Sequence, residues 1–292
     1  MYRSIFKPDL FKEKLVIVTG GGSGIGRCTA HELAALGATV VIVGRSLDKL
    51  EAVCAEIEQA GGKADPRVCN IRDEAAVTAL VAGIVADHGR IDGLVNNAGG
   101  QFPSPLLDIS QKGWEAVLQT NLTGGFLVAR ECLKQHMQHH GGAIVNIVAD
   151  MWGSMPLMGH SGAARAGMVS FTETAAFEWA QYGVRVNAVA PGYIASSGMD
   201  SYPPSLRQTI RNFGNTVPLR RMGSESEVSV AIVFLLSEAA AFITGDTLRI
   251  DGGRPNARGG MPMPSLRQGG EPFNGFHLAT LPKILQDEGD PA

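Results

Sequence analysis

Short apolar runs alternate with amphipathic stretches along most of the chain, and this pattern predicts strands and helices in turn. Strands are predicted at residues 15–18, 39–43, 63–69, 91–95, 143–148, 184–189 and 247–250. Helices are predicted at residues 27–36, 74–88, 110–139 and 161–181, and in a last segment that opens with a Ser224/Glu227 capping box and ends near 237. Such alternation predicts a parallel sheet covered on both faces, with ligands at the carboxyl ends of its strands.

The turn after the first predicted strand is unusually rich in glycine. It reads Thr19-Gly-Gly-Gly-Ser-Gly-Ile-Gly26 and runs directly into a helical pattern. Glycine lets the backbone approach a pyrophosphate closely, and the amides and dipole at a helix N-terminus favour that negative charge. The glycine spacing differs from the common G-x-G-x-x-G pattern, and tight turns also use glycine for structural reasons alone. The turn by itself is therefore compatible with a pyrophosphate-binding site and with a purely structural role.

The end of the second predicted strand bears on which dinucleotide is bound. It reads Gly44-Arg45, about where an acid that binds the ribose 2′-hydroxyl is expected after such a turn. An arginine there suits a 2′-phosphate instead, with Lys49 one helical turn further on as a second cation. The alternative is that Arg45 is a solvated residue opening a helix. The pattern therefore favours NADP(H) over NAD(H).

Composition fits one domain that works on small molecules. The chain has 292 residues, of which 45% are hydrophobic, and a net charge of −3. That charge gives no reason to expect nucleic acid or an anionic membrane as a partner. No apolar segment is long enough to span a bilayer, and residues 1–14 lack the apolar core of a signal peptide. Four cysteines without metal-ligand spacing predict buried, reduced thiols in a cytoplasmic protein without a metal site.

Two segments stand outside the strand–helix alternation. Residues 193–221 hold Tyr202-Pro-Pro204 and a short helical stretch, which is typical of a substrate lid beside a ligand edge or of a packed connection. Residues 253–292 are rich in proline and glycine but carry large apolar groups near their end, so they are expected to dock on the body or on a neighbouring subunit. We therefore expect an oxidoreductase domain at 1–252, which includes the 193–221 loop, and a docked extension at 253–292.

Several motifs, in order along the chain, resemble those of the short-chain dehydrogenase/reductase family. They are Thr19–Gly26, Asn96–Gly99, Asn121, Pro191-Gly192, and the closing Ile243-Thr-Gly245 with Asp251-Gly-Gly253. The resemblance covers residues 13–253. It implies a doubly wound, Rossmann-like α/β fold with seven parallel strands, a bound nicotinamide dinucleotide, and a homotetramer or homodimer.

The resemblance also implies where the dinucleotide lies. Carried over by position, the contacts are Gly20, Ser23, Gly24, Ile25 and Gly26 at the pyrophosphate, Asn70 and Ile71 at the adenine, Asn97, Ala98 and Gly99 along the dinucleotide, and Pro191, Gly192 and Ile194 beside the nicotinamide. Asn121 corresponds to a family residue that bends its helix and holds a water; alternatively it is an ordinary polar helix residue.

The chain departs from the family at the catalytic pair. The family places a tyrosine and, four residues later, a lysine after a serine at the end of the fifth strand. Here those positions hold Ser161 and Arg165, and the strand end holds Asp150. A serine hydroxyl is a far weaker acid than a phenol, and arginine exchanges no proton near neutral pH. Arg165 keeps the ability to hydrogen-bond ribose hydroxyls, so the pattern predicts a coenzyme site without its usual acid–base residue.

Reduction of an activated C=C bond tolerates this loss. Negative charge then gathers on a thioester oxygen, so the site mainly needs donors aimed at that oxygen. Ser161 and nearby amides are candidate donors, with Asp150, His160 or water as proton source and Arg165 and Asn121 in support. Each has a structural alternative, because Ser161 suits a helix N-cap, Asp150 can cap a loop, and His160 can be a satisfied core histidine.

Two branch resemblances point to different substrates. Residues 160–167 and Asn70-Ile-Arg72 resemble the branch with peroxisomal trans-2-enoyl-CoA reductase and the 2,4-dienoyl-CoA reductases. The tail at 251–257 and 273–277 resembles bacterial citronellol/citronellal dehydrogenases, for which Tyr193 or Tyr202 would have to exchange the proton. In either case an apolar substrate is expected. Its candidate pocket walls are Met151, Trp152, Met155, Met158 and Met199, although methionines more often fill gaps in a core. A non-catalytic coenzyme-binding protein is a third hypothesis.

Overall fold

A computed structural model describes residues 1–257, 262–265 and 270–286. The strands are β1 Leu15–Thr19, β2 Thr39–Gly44, β3 Lys63–Val68, β4 Gly93–Asn96, β5 Gly142–Ile147, β6 Val184–Pro191, β7 Ile194–Ala195, β8 Gly223–Ser224 and β9 Thr247–Ile250. The α-helices are α1 Gly24–Ala35, α2 Leu47–Gln59, α3 Glu74–His88, α4 Gln111–Leu118, α5 Gly124–Cys132, α6 Gln138–His140, α7 Gly159–Trp179, α8 Arg207–Arg211 and α9 Glu225–Leu236. Among these, no helix is both long and apolar enough to cross a bilayer.

Seven strands form one parallel sheet in the order β3-β2-β1-β4-β5-β6-β9. Strand β1 pairs with β2 on one side and β4 on the other, so that Ile17 lies between Val41 and Leu94. The chain therefore reverses its direction of strand addition between β1 and β4, which opens a crevice at their carboxyl ends. The doubly wound, Rossmann-like fold expected from the sequence is confirmed.

The core consists of two apolar layers, one on each face of the sheet. Val16 and Val18 of β1 pack in the layer that holds Ile232 of α9, whereas Ile17 packs in the opposite layer with Val81 of α3. All five side chains are fully or almost fully buried. Burial of each such aliphatic side chain stabilises the fold by roughly 1.5–3 kcal/mol. Because both faces of the sheet are covered, its strands are apolar at successive positions and do not alternate between apolar and polar residues.

The long helix predicted at 110–139 is interrupted twice. The turns at Gln119–Thr123 and Leu133–Met137 are π-helical, and they separate α4, α5 and α6. A π turn carries one extra residue and appears most often at functional positions. The first of the two contains Asn121, whose place in the site is described below.

Helix α7 begins at Gly159, two residues before the start predicted from the sequence, and Met158 occupies its N-cap position. Ser161 therefore lies inside the first turn, and the interpretation of Ser161 as the N-cap is wrong. The predicted capping box of α9 is confirmed, because Ser224 accepts from the Glu227 amide while the Glu227 carboxylate accepts from the Ser224 amide. Helix α3 and strand β9 have the predicted bounds.

Residues 193–221 fold into 3₁₀ turns and the short helix α8, and strands β7 and β8 pair where this loop begins and ends. Ile284 of the C-terminal segment packs into it beside Met199 and Ile210. Further back in the same segment, Phe276 packs against Tyr2 at the opposite end of the chain. Parts of the predicted 253–292 extension, at 258–261, 266–269 and 287–292, lie outside the described residues.

Candidate functional site

The glycine turn after β1 brings three segments of backbone close together. Gly20 has a φ of +66°, and a Cβ there would lie 2.8 Å from Asn97 Nδ2. A Cβ on Gly26 would lie 2.5 Å from the Gly20 carbonyl oxygen. The Asn97 amide holds this arrangement by donating to the Thr19 carbonyl oxygen at 2.9 Å. Side chains are thus excluded at Gly20 and Gly26, and the amides at the start of α1 stay open to an anionic group.

A cavity of about 240 Å³ extends from this turn across the carboxyl ends of β1, β2 and β3. It is lined by Gly20, Gly22, Ser23, Val43, Gly44, Arg45, Ser46, Lys49, Leu50, Cys69, Asn70, Ile71, Arg72, Ala98, Gly99 and Thr120. The structure therefore brings together residues that the sequence assigned separately to the pyrophosphate, the 2′-phosphate and the adenine. Neither Arg45 nor Lys49 forms an ion pair within the described part of the chain.

Arg165 is enclosed at the inner end of this region. Its Nη1 donates to the Ile147 carbonyl oxygen at 2.6 Å, and a Cβ on Gly99 would lie 2.7 Å from its Nη2. Its Nε is buried and has no hydrogen-bond partner among the described residues. Burial lowers the pKa of Arg165 to about 10, so the side chain is still a cation at neutral pH. A buried cation with an unused donor fits a ligand that supplies oxygen acceptors.

Asn121 fixes the loop that follows β4. Its Nδ2 donates to the Gly100 carbonyl oxygen at 2.8 Å, and its Oδ1 accepts from the Gly100 amide at 2.9 Å. The side chain is buried, and the π turn directs it toward this loop instead of along the helix face. This reciprocal pair of hydrogen bonds holds Gly99 beside Arg165, which places the loop for a ligand at the inner end of the cavity.

Gln101 links Ser161 to the 193–221 loop, a contact that sequence reasoning missed. Ser161 is fully buried, and its Oγ donates to Gln101 Oε1 at 2.6 Å. Gln101 Nε2 in turn donates to the Tyr202 hydroxyl oxygen at 2.8 Å. A single glutamine in a loop carries no periodicity, and 60 residues separate it from Ser161. Only its place directly after the Asn97–Gly100 loop pointed to this region.

Asp150 and His160 occupy polar but enclosed positions. Asp150 pairs with Arg254 at 3.2 Å, and its second carboxylate oxygen has no partner among the described residues. Burial raises the pKa of Asp150, and Arg254 opposes that rise. His160 is fully buried beside Phe102, and its Nδ1 accepts from the Ser161 amide. Burial lowers the pKa of His160, so the ring is neutral at neutral pH.

The segment after β6 closes the other side of the crevice. The Gly192 amide donates to the Ile250 carbonyl oxygen at 2.9 Å, and a Cβ on Gly192 would lie 2.8 Å from the Asp251 Cα. Pro191 ends β6, and the buried Ile194 belongs to β7. The 193–221 loop therefore leaves the sheet at a rigid point next to β9.

Comparison with known proteins gives consistent results. Residues 20–254 match the family model described as enoyl-(acyl carrier protein) reductase. A solved structure from Pseudomonas aeruginosa PAO1, the citronellol catabolism dehydrogenase AtuB, is 61% identical with a TM-score of 0.79 and covers 87% of this chain and 99% of its own. A peroxisomal 2,4-dienoyl-CoA reductase of Danio rerio is 35% identical over 257 residues, which are 86% of this chain and 85% of the relative. The 3-oxoacyl-[acyl-carrier-protein] reductase FabG of Thermotoga maritima is 36% identical over 242 residues, with 82% and 97% covered.

Proposed function

This chain belongs to the short-chain dehydrogenase/reductase family of oxidoreductases, and we propose that it transfers a hydride between NADP(H) and the C=C bond of an apolar 2-enoyl thioester. The observation that carries the proposal is the pair Ser161 and Arg165 in place of the family's tyrosine and lysine. With this pair, a cation remains beside Gly99 of the cavity and the Ser161 hydroxyl donates to Gln101, while the family's usual proton donor is missing.

The residues present fit a nicotinamide dinucleotide. Gly20 and Gly26 form a cradle that any Cβ would fill, and the start of α1 presents its amides to a pyrophosphate. Arg45 and Lys49 lie at the outer end of the same cavity and have no acidic partner within residues 1–257, 262–265 and 270–286, which suits a 2′-phosphate and supports NADP(H). When bound, the dinucleotide supplies or accepts the hydride.

The described side chains suit the charge that forms during C=C reduction. Arg165 donates to the Ile147 carbonyl oxygen and keeps Nε unused, so it can hold ribose hydroxyls in the place of the family's lysine. Negative charge on a thioester oxygen needs fixed donors that lose little when water is excluded. The amides on either side of Gly99 are already used, since the Ala98 amide donates to Thr19 Oγ1 and the Gly100 amide donates to Asn121 Oδ1. The pinned loop therefore contributes a fixed position for Gly99, and the unused donor beside it is Arg165 Nε. An arginine exchanges no proton here, so the carbon proton has to come from another group.

NADPH oxidation, followed by its absorbance, tests this proposal. The substrates are crotonyl-CoA, a longer straight 2-enoyl-CoA, and a methyl-branched 2-enoyl-CoA of terpenoid type. We expect turnover with the thioesters, and faster turnover with the branched and longer chains because the site is expected to be apolar. Oxidation of citronellol with NADP⁺ but no activity on any thioester would contradict the proposal. Tight NADPH binding without turnover of either class would indicate the non-catalytic hypothesis.

A terpenoid alcohol or aldehyde is the second candidate substrate. It is supported by the 61% identity to a citronellol catabolism dehydrogenase. Tyr202 also supports it, because the side-chain amide of Gln101 forms hydrogen bonds with both the Tyr202 hydroxyl and the Ser161 hydroxyl. Oxidation of an alcohol needs a base that takes the hydroxyl proton, and an ionised phenol can do this, whereas a serine hydroxyl is too weak an acid to ionise. A branched thioester of terpenoid origin would agree with both sets of relatives.

We further propose that copies of this chain associate as a homodimer or homotetramer in the cytoplasm. Phe177 on α7 is 86% exposed and Phe126 on α5 is 36% exposed, and such large aromatic side chains favour a protein partner. All four cysteines are buried and free, as suits a reducing compartment.

A further inference from the structure

We propose that Tyr202 is the proton donor of this site. The 193–221 loop holds its side chain in position, and Gln101 orients its hydroxyl group. The proposal rests on the hydride transfer proposed above and names the group that replaces the missing family tyrosine. Its basis is the hydrogen-bonded chain from Ser161 through Gln101 to Tyr202.

The amide of Gln101 has a fixed direction in this chain of hydrogen bonds. The Ser161 hydroxyl donates to its carbonyl oxygen at 2.6 Å, so the NH₂ group must face the other way. There it donates to the Tyr202 hydroxyl oxygen at 2.8 Å. A hydrogen bond donated to a phenol oxygen stabilises the negative charge that forms when the phenol gives up its proton. Ser161 thereby acts as a positioning residue for Gln101, and Gln101 as one for Tyr202.

The Tyr202 proton has no acceptor among the described residues, since the single hydrogen bond of this hydroxyl is the one it accepts. The other three tyrosines are placed differently. Tyr193 stacks on Phe213 at 3.8 Å between ring centroids, Tyr2 is buried against Phe276, and Tyr182 follows α7 in an exposed turn. Tyr202 is therefore the phenol that the structure connects to the site, and its proton is available to a substrate.

The loop position of Tyr202 is fixed by packing. Its amide donates to the Met199 carbonyl oxygen at 3.1 Å, and its ring packs on the cluster of Met199, Ile210 and Ile284. The neighbouring Asp200 accepts from the Ile284 amide at 3.1 Å, which ties the loop to the C-terminal segment. A hydroxyl held in this way loses little entropy when a substrate binds, which is what proton transfer in a site requires.

The proposed step balances in atoms and charge. The hydride forms a new C–H bond at the β carbon, and the electron pair of the C=C bond moves to the thioester oxygen as an enolate. The O–H bond of Tyr202 then breaks, and its proton forms a C–H bond at the α carbon as the enolate collapses to the saturated thioester. Water returns a proton to the Tyr202 oxygen through the open side of the loop.

The test compares Tyr202→Phe with the matched control Tyr182→Phe, which removes a phenol hydroxyl in the exposed turn after α7. Phenylalanine keeps each ring in its packing, so both variants are expected to fold, and thermal unfolding checks this. We expect Tyr202→Phe to lower kcat by about 100-fold or more, in the range of a lost general acid, with the Kd for NADPH unchanged. Tyr182→Phe is expected to stay within twofold of the wild type. Gln101→Leu, which removes only the orienting amide, is expected to fall between them.

Turnover in D₂O gives a readout that a structural role would not move. The wild type is expected to deliver deuterium to one face of the α carbon, which NMR of the product detects, whereas Tyr202→Phe is expected to give a mixture of both faces as water takes over. If the wild type reduces the thioester and the Tyr202→Phe variant keeps both the rate and the facial selectivity, the role of Tyr202 is wrong. The proposed thioester function then still stands. If the wild type oxidises only citronellol and Tyr202→Phe abolishes that oxidation, the proposed thioester function is wrong. The role of Tyr202 in proton transfer then still stands. If Tyr202→Phe keeps that oxidation rate, the inference falls too.

Discussion

Single residues decide the chemistry of this site, and the sequence identifies some of them better than others. Ser161 and Arg165 stand out by comparison with the family motif, because they fill positions whose spacing is fixed. Arg165 shows in the structure why it suits its place, since its guanidinium is held by the Ile147 carbonyl and still has a free donor. Gln101 belongs to no such motif, so its hydrogen bonds to Ser161 and Tyr202 become visible only in the structure. Residues that act through long-range contacts escape sequence reasoning for this reason.

Coenzyme preference is tested at Arg45. Replacing Arg45 by Asp puts a negative charge where a 2′-phosphate would bind, so the affinity for NADPH is expected to fall by about 10- to 100-fold more than the affinity for NADH. Fluorescence titration of both coenzymes measures this. Lys112→Asp on the exposed side of α4 is the matched charge control and should change neither affinity. Equal losses for NADPH and NADH in Arg45→Asp would reject the 2′-phosphate assignment.

A buried acid beside the glycine turn predicts a dependence of stability on pH. Burial raises the pKa of Glu225 to about 7, although the Arg27 charge opposes this, whereas the ordinary value is 4.5. The unfolded chain therefore releases this proton first, and the contribution of Glu225 to stability falls as the pH rises from about 4.5 through 7. Glu225→Gln is expected to raise Tm at pH 8 by more than at pH 5.

Thermal unfolding of Glu225→Gln at both pH values makes that measurement. Glu173→Gln on the exposed face of α7 serves as a control, and its effect on Tm should be the same at pH 5 and pH 8. An equal gain at both pH values in Glu225→Gln would mean that the carboxyl group does not titrate in this range.

At the level of elements, local patterns were enough for regular helices and strands but not for their irregularities. The bounds of α3 were predicted from its apolar spacing, and the structure places the Asp73 cap and the left-handed Gly89 at these bounds. The π turn at Asn121 left no trace in the apolar spacing, because one extra residue in a long helix blurs the pattern only slightly. The docking of Ile284 onto the 193–221 loop was equally invisible, since proline- and glycine-rich segments have no periodicity.

The contact of the C-terminal segment with the loop gives a prediction about substrate binding. Ile284 is 8% exposed, and its truncation to Ala leaves a cavity against Met199 and Ile210. Truncation of a buried Ile side chain to Ala typically lowers the free energy of unfolding by about 2–5 kcal/mol. Here it is expected to weaken the packing of the 193–221 loop. We expect Ile284→Ala to raise the substrate KM and to speed proteolysis within 193–221, with NADPH affinity unchanged.

The control for Ile284→Ala is Leu281→Ala, a truncation in the same segment at a side chain that is 53% exposed. It should leave both KM and proteolysis near wild-type values. If the two variants behave alike, the C-terminal segment does not hold the loop.

For the molecule as a whole, the doubly wound parallel sheet was the most predictable property. Right-handed crossovers leave few arrangements for alternating strands and helices. The middle strand of the seven is β4, which lies between β1 and β5. The sequence also predicted which strand ends line the dinucleotide cavity. It did not predict which side chains meet across the crevice, because that depends on loop packing between distant segments such as 101, 161 and 202.

Association between copies is the prediction that belongs to this scale. Placing a charge on the exposed aromatic of α7 with Phe177→Glu would put a carboxylate into an apolar contact between subunits, so the molar mass from light scattering is expected to fall by half or more. Ile5→Glu, at a side chain that is 66% exposed in the N-terminal segment, is the control and should keep the wild-type mass. A wild type that is monomeric at micromolar concentration would contradict the proposal.

The contact between Ile284 and the 193–221 loop also sets an order of events during synthesis on the ribosome. The strands and turns that form the dinucleotide cavity, up to residue 192, emerge long before residue 284 leaves the exit tunnel. Until it does, the apolar side chains of Met199 and Ile210 lack their cover and are open to chaperones. The 193–221 loop can therefore reach its final packing only after residue 284 has left the ribosome.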